Sequence, residues 1–255
     1  MRNAPIVLMY HGVGDVDSEH DAENLFVPVQ AFQQQMEYLN HSGFKILSEV
    51  EYLGWLNGKP LERKSVLLTF DDGYSSILQN AVPILAGLRM TGICYVCPGL
   101  LGGQSTWMDK TSRHDLMDVA ELSEVVDAGI ALGVHSHDHS SMDKLNFTDL
   151  KKHTVDARAL LEERVGVHAK SFAYPYGNHN PTARQAVSSA GFECAFAIYE
   201  TSGRWALPRV DINSLDTPRT FRLKLQSIYP TARRALSAAP PLRRAAHRVV
   251  GLAKR

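Results

Sequence analysis

An α/β fold built on a parallel sheet or barrel is what this sequence predicts, and three observations predict it. Short apolar runs with strand character recur seven times along the chain, and helical patterns separate most of them. Four of those helical patterns stop at a glycine, the residue that most easily takes the left-handed turn closing a helix. With 255 residues and 44% hydrophobic content, the chain can bury one substantial core, and single α/β barrels commonly reach this size.

The strand-like runs are 6–10, 44–47, 66–70, 93–97, 130–134, 171–174 and 194–198. The run Val66-Leu67-Leu68 reads as a strand buried on both faces, as central strands of parallel sheets are. Residues 28–42 carry Phe32, Met36 and Leu39 at helical spacing and end at Gly43. The same arrangement returns at 118–128 before Gly129, at 150–165 before Gly166 and at 181–190 before Gly191. Residues 98–114, rich in Gly, Ser and Thr and containing Trp107, form the longest irregular stretch, the kind that shapes a cleft. These elements suggest one domain over 1–216, followed by a basic, partly helical segment over 217–255. In that segment Asp216 or Thr217 caps a helix with Pro218 in its first turn. Beyond Pro240-Pro241 the chain is rich in Arg and Ala, without a clear apolar face.

The formal net charge is zero but unevenly spread. Ten of the 27 Lys and Arg, and none of the 27 acids, lie in 217–255. Such a segment contacts an anionic surface such as lipid headgroups, or is a solvated end; no specific nucleic acid is expected. The opening apolar run is too short for a secretory signal and is followed by His11, and no stretch reaches the roughly 20 apolar residues of a spanning helix. Cys94, Cys97 and Cys194 cannot all pair, and the Cys94-x-x-Cys97 string sits in a strand-like run, so buried thiols are expected. A cytoplasmic protein, or one peripheral to the inner face of the membrane, fits these features.

Chemistry gathers at two strand ends. Thr69-Phe70-Asp71-Asp72-Gly73 puts adjacent carboxylates where a buried strand should stop. Neighbouring like charges lose solvation there unless a cation or donor compensates them. A capping turn explains one Asp, not two. Gly133-Val134-His135-Ser136-His137-Asp138-His139 closes another apolar run with three imidazoles. If the chain stayed extended, His135 and His139 would lie about 13 Å apart. A helical turn after His135 would bring them within about 6 Å, a workable spacing for metal ligands, with His137 pointing elsewhere. A polar surface loop is the bland alternative.

Taken together with Phe172-Ala173-Tyr174-Pro175-Tyr176-Gly177, these strings resemble the three ordered motifs of the NodB-homology polysaccharide deacetylases, carbohydrate esterase family four. The resemblance covers most of residues 6–211. It implies a distorted (β/α) barrel of about seven strands and hydrolysis of acetyl groups on saccharides with a divalent metal, most often zinc. It assigns Asp71 as general base toward the attacking water and Asp72, His135 and His139 as metal ligands. The backbone N–H of Tyr176, beside Pro175, is assigned to the oxyanion.

Two departures from the family pattern stand out. Ala173 occupies the place of an arginine that orients the base; Arg209, in Leu207-Pro208-Arg209-Val210-Asp211, is either its replacement or a surface ion pair. A downstream leucine-x-histidine motif that supplies the general acid is absent. Met9-Tyr10-His11-Gly12 instead resembles the permuted tyrosine-histidine of biofilm poly-N-acetylglucosamine deacetylases, making His11 the candidate acid, with a structural role as the alternative. Trp107, Trp205 and Leu207 either wall a sugar site or pack in the core.

The resemblance thus points to an N-deacetylase acting on an amino-sugar oligosaccharide, an exopolysaccharide or a glycan precursor. An O-acetyl esterase, a cyclic amidase and a non-catalytic glycan-binding protein with a degenerate site are the alternatives.

Overall fold

The computed structural model describes residues 4–61, 63–199, 202–231 and 233; the Arg-rich segment beyond, with His247, lies outside the described residues. The chain runs β1 (Ile6–Tyr10), β2 (Gly12–Val13), β3 (Phe26–Val27), α1 (Val29–His41), β4 (Lys45–Ile46), α2 (Glu49–Leu56), β5 (Ser65–Phe70) and α3 (Val82–Gly87). It continues with β6 (Ile93–Val96), α4 (Val119–Asp127), β7 (Ala131–Val134), α5 (Phe147–Lys151), α6 (Ala157–Val165), β8 (Ser171–Ala173), α7 (Pro181–Ser189), β9 (Cys194–Phe196), β10 (Val210–Asp211) and α8 (Pro218–Lys224).

The main sheet is parallel throughout, in the order β10-β1-β5-β6-β7-β8-β9. Strand β4 pairs with the start of β5 (Lys45 opposite Ser65), leaving the end of β5 to β6 (Thr69 opposite Ile93). The sheet curls toward closure at an irregular seam. Leu207 exchanges backbone hydrogen bonds with Ala195 and Ala197 beside β9, each 2.8 Å. Three residues on, Val210 pairs with Leu8 of β1.

The longer strands of this curved sheet are mostly apolar because both faces are buried, whereas the two-residue β4 and β10 carry half-buried Lys45 and Asp211. Val7, Leu67, Tyr95, Ala173 and Phe196 form an inner cluster, while Leu8, Leu68, Cys94, Phe172 and Ala195 pack outward against the helices. The alternation of in and out along each strand is the period-two geometry of a barrel wall. Cys94, Cys97 and Cys194 are free buried thiols. No helix of the described residues is long and apolar enough to cross a membrane.

The helix ends follow the sequence closely. Gly43, Gly129, Gly166 and Gly191 all adopt positive φ, between 71° and 86°. The 150–165 pattern starts earlier, at Phe147, capped by the Asn146 side chain on Asp149 N. It is interrupted by a wide turn over Lys152–Asp156, where Thr154 bonds back to the Leu150 carbonyl at 2.7 Å, a contact that loosens a helix. Thr217 caps α8, which packs Phe221 and Leu225 onto the core. Two short helices, α2 and α3, lie outside those glycine-stopped patterns. One of them, α2, carries a capping box between Ser48 and Glu51.

The inner cluster rests on a buried polar chain, in which Tyr95 Oη lies 2.9 Å from Ser171 Oγ and Ser171 Oγ donates to Glu49 at 2.6 Å. A Cβ at Gly133 would meet the Tyr95 ring at 2.3 Å and the Ser171 carbonyl at 3.0 Å. Because the ring is tied at its hydroxyl, it cannot step aside freely. Gly133→Ala is expected to cost about 1–3 kcal/mol by overpacking, measured as a lower urea midpoint with unchanged slope.

Candidate active site

The motif residues and His11 stand at the carboxyl ends of parallel strands, the face where the loops of such barrels gather. Asp71 and Asp72 follow β5, His135 follows β7, the turn with Tyr176 follows β8, and His11 follows β1. Adjacent residues of an extended strand point to opposite faces, so two neighbouring carboxylates need a break to share one cavity. The chain supplies it. Asp71 N still donates to Tyr10 O at 2.9 Å, but Asp72 has φ 74° and Gly73 φ 80°. A non-glycine residue held in the left-handed region at this place is the backbone strain that functional sites keep.

Asp72, His135 and His139 bring three ligand atoms within 4.8 Å of one another, all buried. Asp72 Oδ1 lies 3.4 Å from His135 Nε2 and 3.2 Å from His139 Nε2, yet has no hydrogen-bond partner of adequate geometry. His135 Nδ1 sits 2.8 Å from the Ala173 carbonyl, which only accepts, so Nδ1 carries a proton and Nε2 is turned toward Asp72; burial disfavours charge on the ring, but Asp71 and Asp72 outweigh it and push its pKa up. A buried carboxylate faced by two imidazoles calls for positive charge between them. Burial opposes ionisation of Asp72, but His139 and His135 outweigh it and hold its carboxyl well below the usual range. A divalent cation fits this donor set of one carboxylate and two imidazoles, with room for a further ligand. The His135–His139 approach does not come from a helix. Ser136 (φ 61°) and His139 (φ 64°) are left-handed, and the turn they make brings the rings to 5.0 Å. Trp107 stacks on His139 at 4.1 Å and Tyr176 meets it edge-on at 4.6 Å, fixing the ring.

Arg209 is fully buried and is not a surface ion pair. It reaches from the seam into the barrel, and its two terminal nitrogens donate to the two Asp71 oxygens at 2.6 and 2.7 Å. The guanidinium also lies 5.6 Å from the Tyr95 ring centroid and 5.9 Å from that of Phe196. Ala173 belongs to the same inner cluster as those rings, so its missing side chain leaves the interior to an arginine arriving from another strand. Burial opposes ionisation of Asp71, but Arg209 and then His135 outweigh it, keeping Asp71 below the usual carboxylate range.

The sequence profile described as polysaccharide deacetylase matches residues 58–195, more than half of the chain. The chain belongs to the polysaccharide deacetylase family. The Staphylococcus aureus (strain MRSA252) poly-beta-1,6-N-acetyl-D-glucosamine N-deacetylase is 24% identical over 235 residues, covering 83% of this chain and 79% of that protein. Among solved structures, IcaB from Ammonifex degensii superposes with a TM-score of 0.73 at 25% identity, covering 88% of this chain and 96% of that one. The Streptococcus pyogenes deacetylase PplD, solved with acetate, shares the fold at a TM-score of 0.77 and 22% identity, over 89% of this chain and all of that one. The fold is thus the NodB-type distorted (β/α) barrel.

In this deacetylase fold the two carboxylates, His135, His139, His11, Trp107 and Tyr176 line one cavity of about 380 Å³. Tyr176 itself has φ 59° and leaves its ring half exposed. Pro175 is buried behind it, off the wall. Neither Trp205 nor Leu207 reaches the cavity. Leu207 packs against the inner cluster and pairs with Phe196, and Trp205 packs against the outer core while its carbonyl accepts from Tyr174. The wall also includes residues that the motifs did not name, among them Glu23, Tyr199, Asp211 and Asn213. Tyr199 donates to Asp211, and Asn213 Nδ2 donates to the other Asp211 oxygen at 3.1 Å. Neither Asp211, in the two-residue β10, nor Glu23 carries a periodic signal in the sequence.

Proposed function

We propose that this polysaccharide deacetylase hydrolyses N-acetyl groups on an amino-sugar oligosaccharide, exopolysaccharide or glycan precursor with the help of a divalent ion, zinc being the best match to one carboxylate and two imidazoles. The observation that carries this reading is the buried Asp72 Oδ1, unbonded and faced by two imidazole nitrogens, next to an Asp71 gripped by Arg209. An ion held by Asp72, His135 and His139 would polarise the acetyl carbonyl and bring the pKa of water toward neutrality.

The chain's own residues do the rest. Asp71, ionised and aimed by Arg209, accepts the proton of the attacking water. The backbone N–H of Tyr176 donates to the oxygen that gains charge as the carbonyl becomes tetrahedral. His11, across the same cavity, gives a proton to the sugar nitrogen as the C–N bond breaks, leaving acetate and a free amine. The name of the Staphylococcus aureus relative favours an amide over an ester substrate.

Chelator-treated protein is expected to release no acetate from β-1,6-linked N-acetylglucosamine oligomers and to recover on zinc addition, with acetylated xylan the poorer substrate. Zinc-loaded protein that released acetate from no N-acetylated saccharide would overturn the reading. His11→Asn with normal metal content is expected to lose turnover; full kcat would remove His11 from the acid role.

A further inference from the structure

The turn 135–139 carries three imidazoles, and the cavity takes two of them. His137 is the third. It stands between Ser136 and His139, both held in the left-handed region at φ 61° and 64°. Non-glycine backbone of that kind persists only where its surroundings over-determine it. The peptide groups of His137 are gripped on both sides. Its carbonyl accepts from Gly99 N at 2.8 Å, and its N–H donates to Nδ1 of His153 at 3.3 Å. Its ring lies against Gly99, where a Cβ would come within 2.4 Å of His137 Nε2.

His153 arrives from the wide turn over Lys152–Asp156, between α5 and α6. Single wide turns inside helices are frequent at functional sites. Here the turn sends His153 inward, where it is 4% exposed and its ring meets that of His137 at 6.1 Å and nearly at right angles. Burial, with Lys152 and His137 adding to it against Asp138 and Asp149, holds the His153 ring below the usual imidazole range. A neutral ring leaves one nitrogen bare, and Nδ1 can then accept the His137 N–H. Asp138 Oδ1, 3.6 Å from the same nitrogen, is taken by the Ser140 hydroxyl at 2.5 Å. If the His137 N–H lost its acceptor, the turn would be free to leave the left-handed region, and His139, two residues on, would swing away from Asp72.

On the reading that Asp72, His135 and His139 hold a divalent ion, on which this inference rests, we propose that His153 is a positioning residue of that site: by accepting the His137 N–H it locks the strained turn in which His135 and His139 face Asp72. Among the described residues His153 makes no hydrogen bond to any of the three, so its effect passes through the backbone.

The test is the zinc affinity of the folded full chain, measured by competition with a chromophoric chelator in the parent, His153→Leu, His153→Ala and His153→Asn. Asn sets an amide oxygen close to the place of Nδ1, whereas Leu and Ala offer no acceptor. The Leu and Ala variants are expected to bind zinc about 10- to 100-fold more weakly, the range for groups that orient metal ligands from behind. His153→Asn should bind close to the parent, a rescue that a role in packing alone would not give. Parental affinity in either acceptor-free variant, or an Asn variant as weak as the Ala variant, would overturn the role of His153 and leave the ion site standing. A parent that bound no zinc would overturn the ion site and this role together.

Discussion

Asp71→Asn is expected to lower turnover on N-acetylated oligosaccharides by about 10²- to 10⁴-fold while leaving the metal content unchanged, because general-base transfer contributes on that scale. The substitution keeps volume and shape but removes the acceptor of the water proton. Asp72, His135 and His139, the three groups proposed to hold the ion, are untouched. The variant also turns an amide N–H toward Arg209, whose two terminal nitrogens both donate to Asp71 in the parent. A buried guanidinium left without its counter-charge is costly, so lower thermal stability accompanies the loss of rate and the rate must be normalised to folded protein. The pH dependence separates the two effects. Asp71 has a folded-state pKa below its ordinary value, with Arg209 and His135 overcoming the burial that opposes ionisation. Its contribution to stability is therefore present above about pH 4, the ordinary carboxylate value, and is lost as pH falls through the lower folded value. The stability gap between parent and variant is expected to narrow in strongly acidic denaturation series. A gap that stayed constant would mean that Asp71 is not ionised in the folded protein. Near-parental turnover would take from Asp71 the role of base.

The sequence made most of this fold and the centre of the site legible, for physical reasons that also explain the gaps. The six strands of three or more residues in the parallel sheet carry apolar runs because both faces are buried, the short β4 lies inside the run 44–47, and four helices announce their ends by glycines that do adopt positive φ. The pairs β2–β3 and the short β10 were not visible, since two-residue strands have no periodicity to read. Asp71, Asp72, His135 and His139 converge because motif residues sit at strand ends, and strand ends share a face. The local geometry that joins them was less accessible. The spacing of His135 and His139 suggested a helical turn, whereas the chain uses left-handed residues at Ser136 and His139, which spacing alone does not reveal. For Trp205 and Leu207 the sequence left a sugar wall and core packing as alternatives, and the structure decides for packing. Whether a side chain points into a cavity or into packing is settled by tertiary contacts, and the sheet places Leu207 inside the seam. Tyr199 and Glu23 enter the cavity from segments that carry no motif.

Arg209 offers the sharpest test, because the seam puts in place a charge that the third motif leaves out. Arg209→Ala is expected to cost about 3–5 kcal/mol of stability, as buried ion pairs do when one partner is removed, and to lower kcat/KM by roughly 10²-fold in the folded fraction, within the range for an impaired general base. The readout that a merely structural role would not move is the acid limb of the kcat/KM profile. Burial alone pushes Asp71 upward, and Arg209 is the foremost group holding it down. Its removal should carry the limb to higher pH. Arg209→Lys retains one charge but cannot reproduce two parallel hydrogen bonds to the carboxylate, so the limb should stay nearer its parental position while kcat falls through lost orientation. Arg209 makes no hydrogen bond to Asp72, His135 or His139, so metal content should be normal in both variants. Near-parental turnover in Arg209→Ala, or a lower rate with an unmoved limb, would separate the seam from the chemistry and reduce Arg209 to a strut of the barrel.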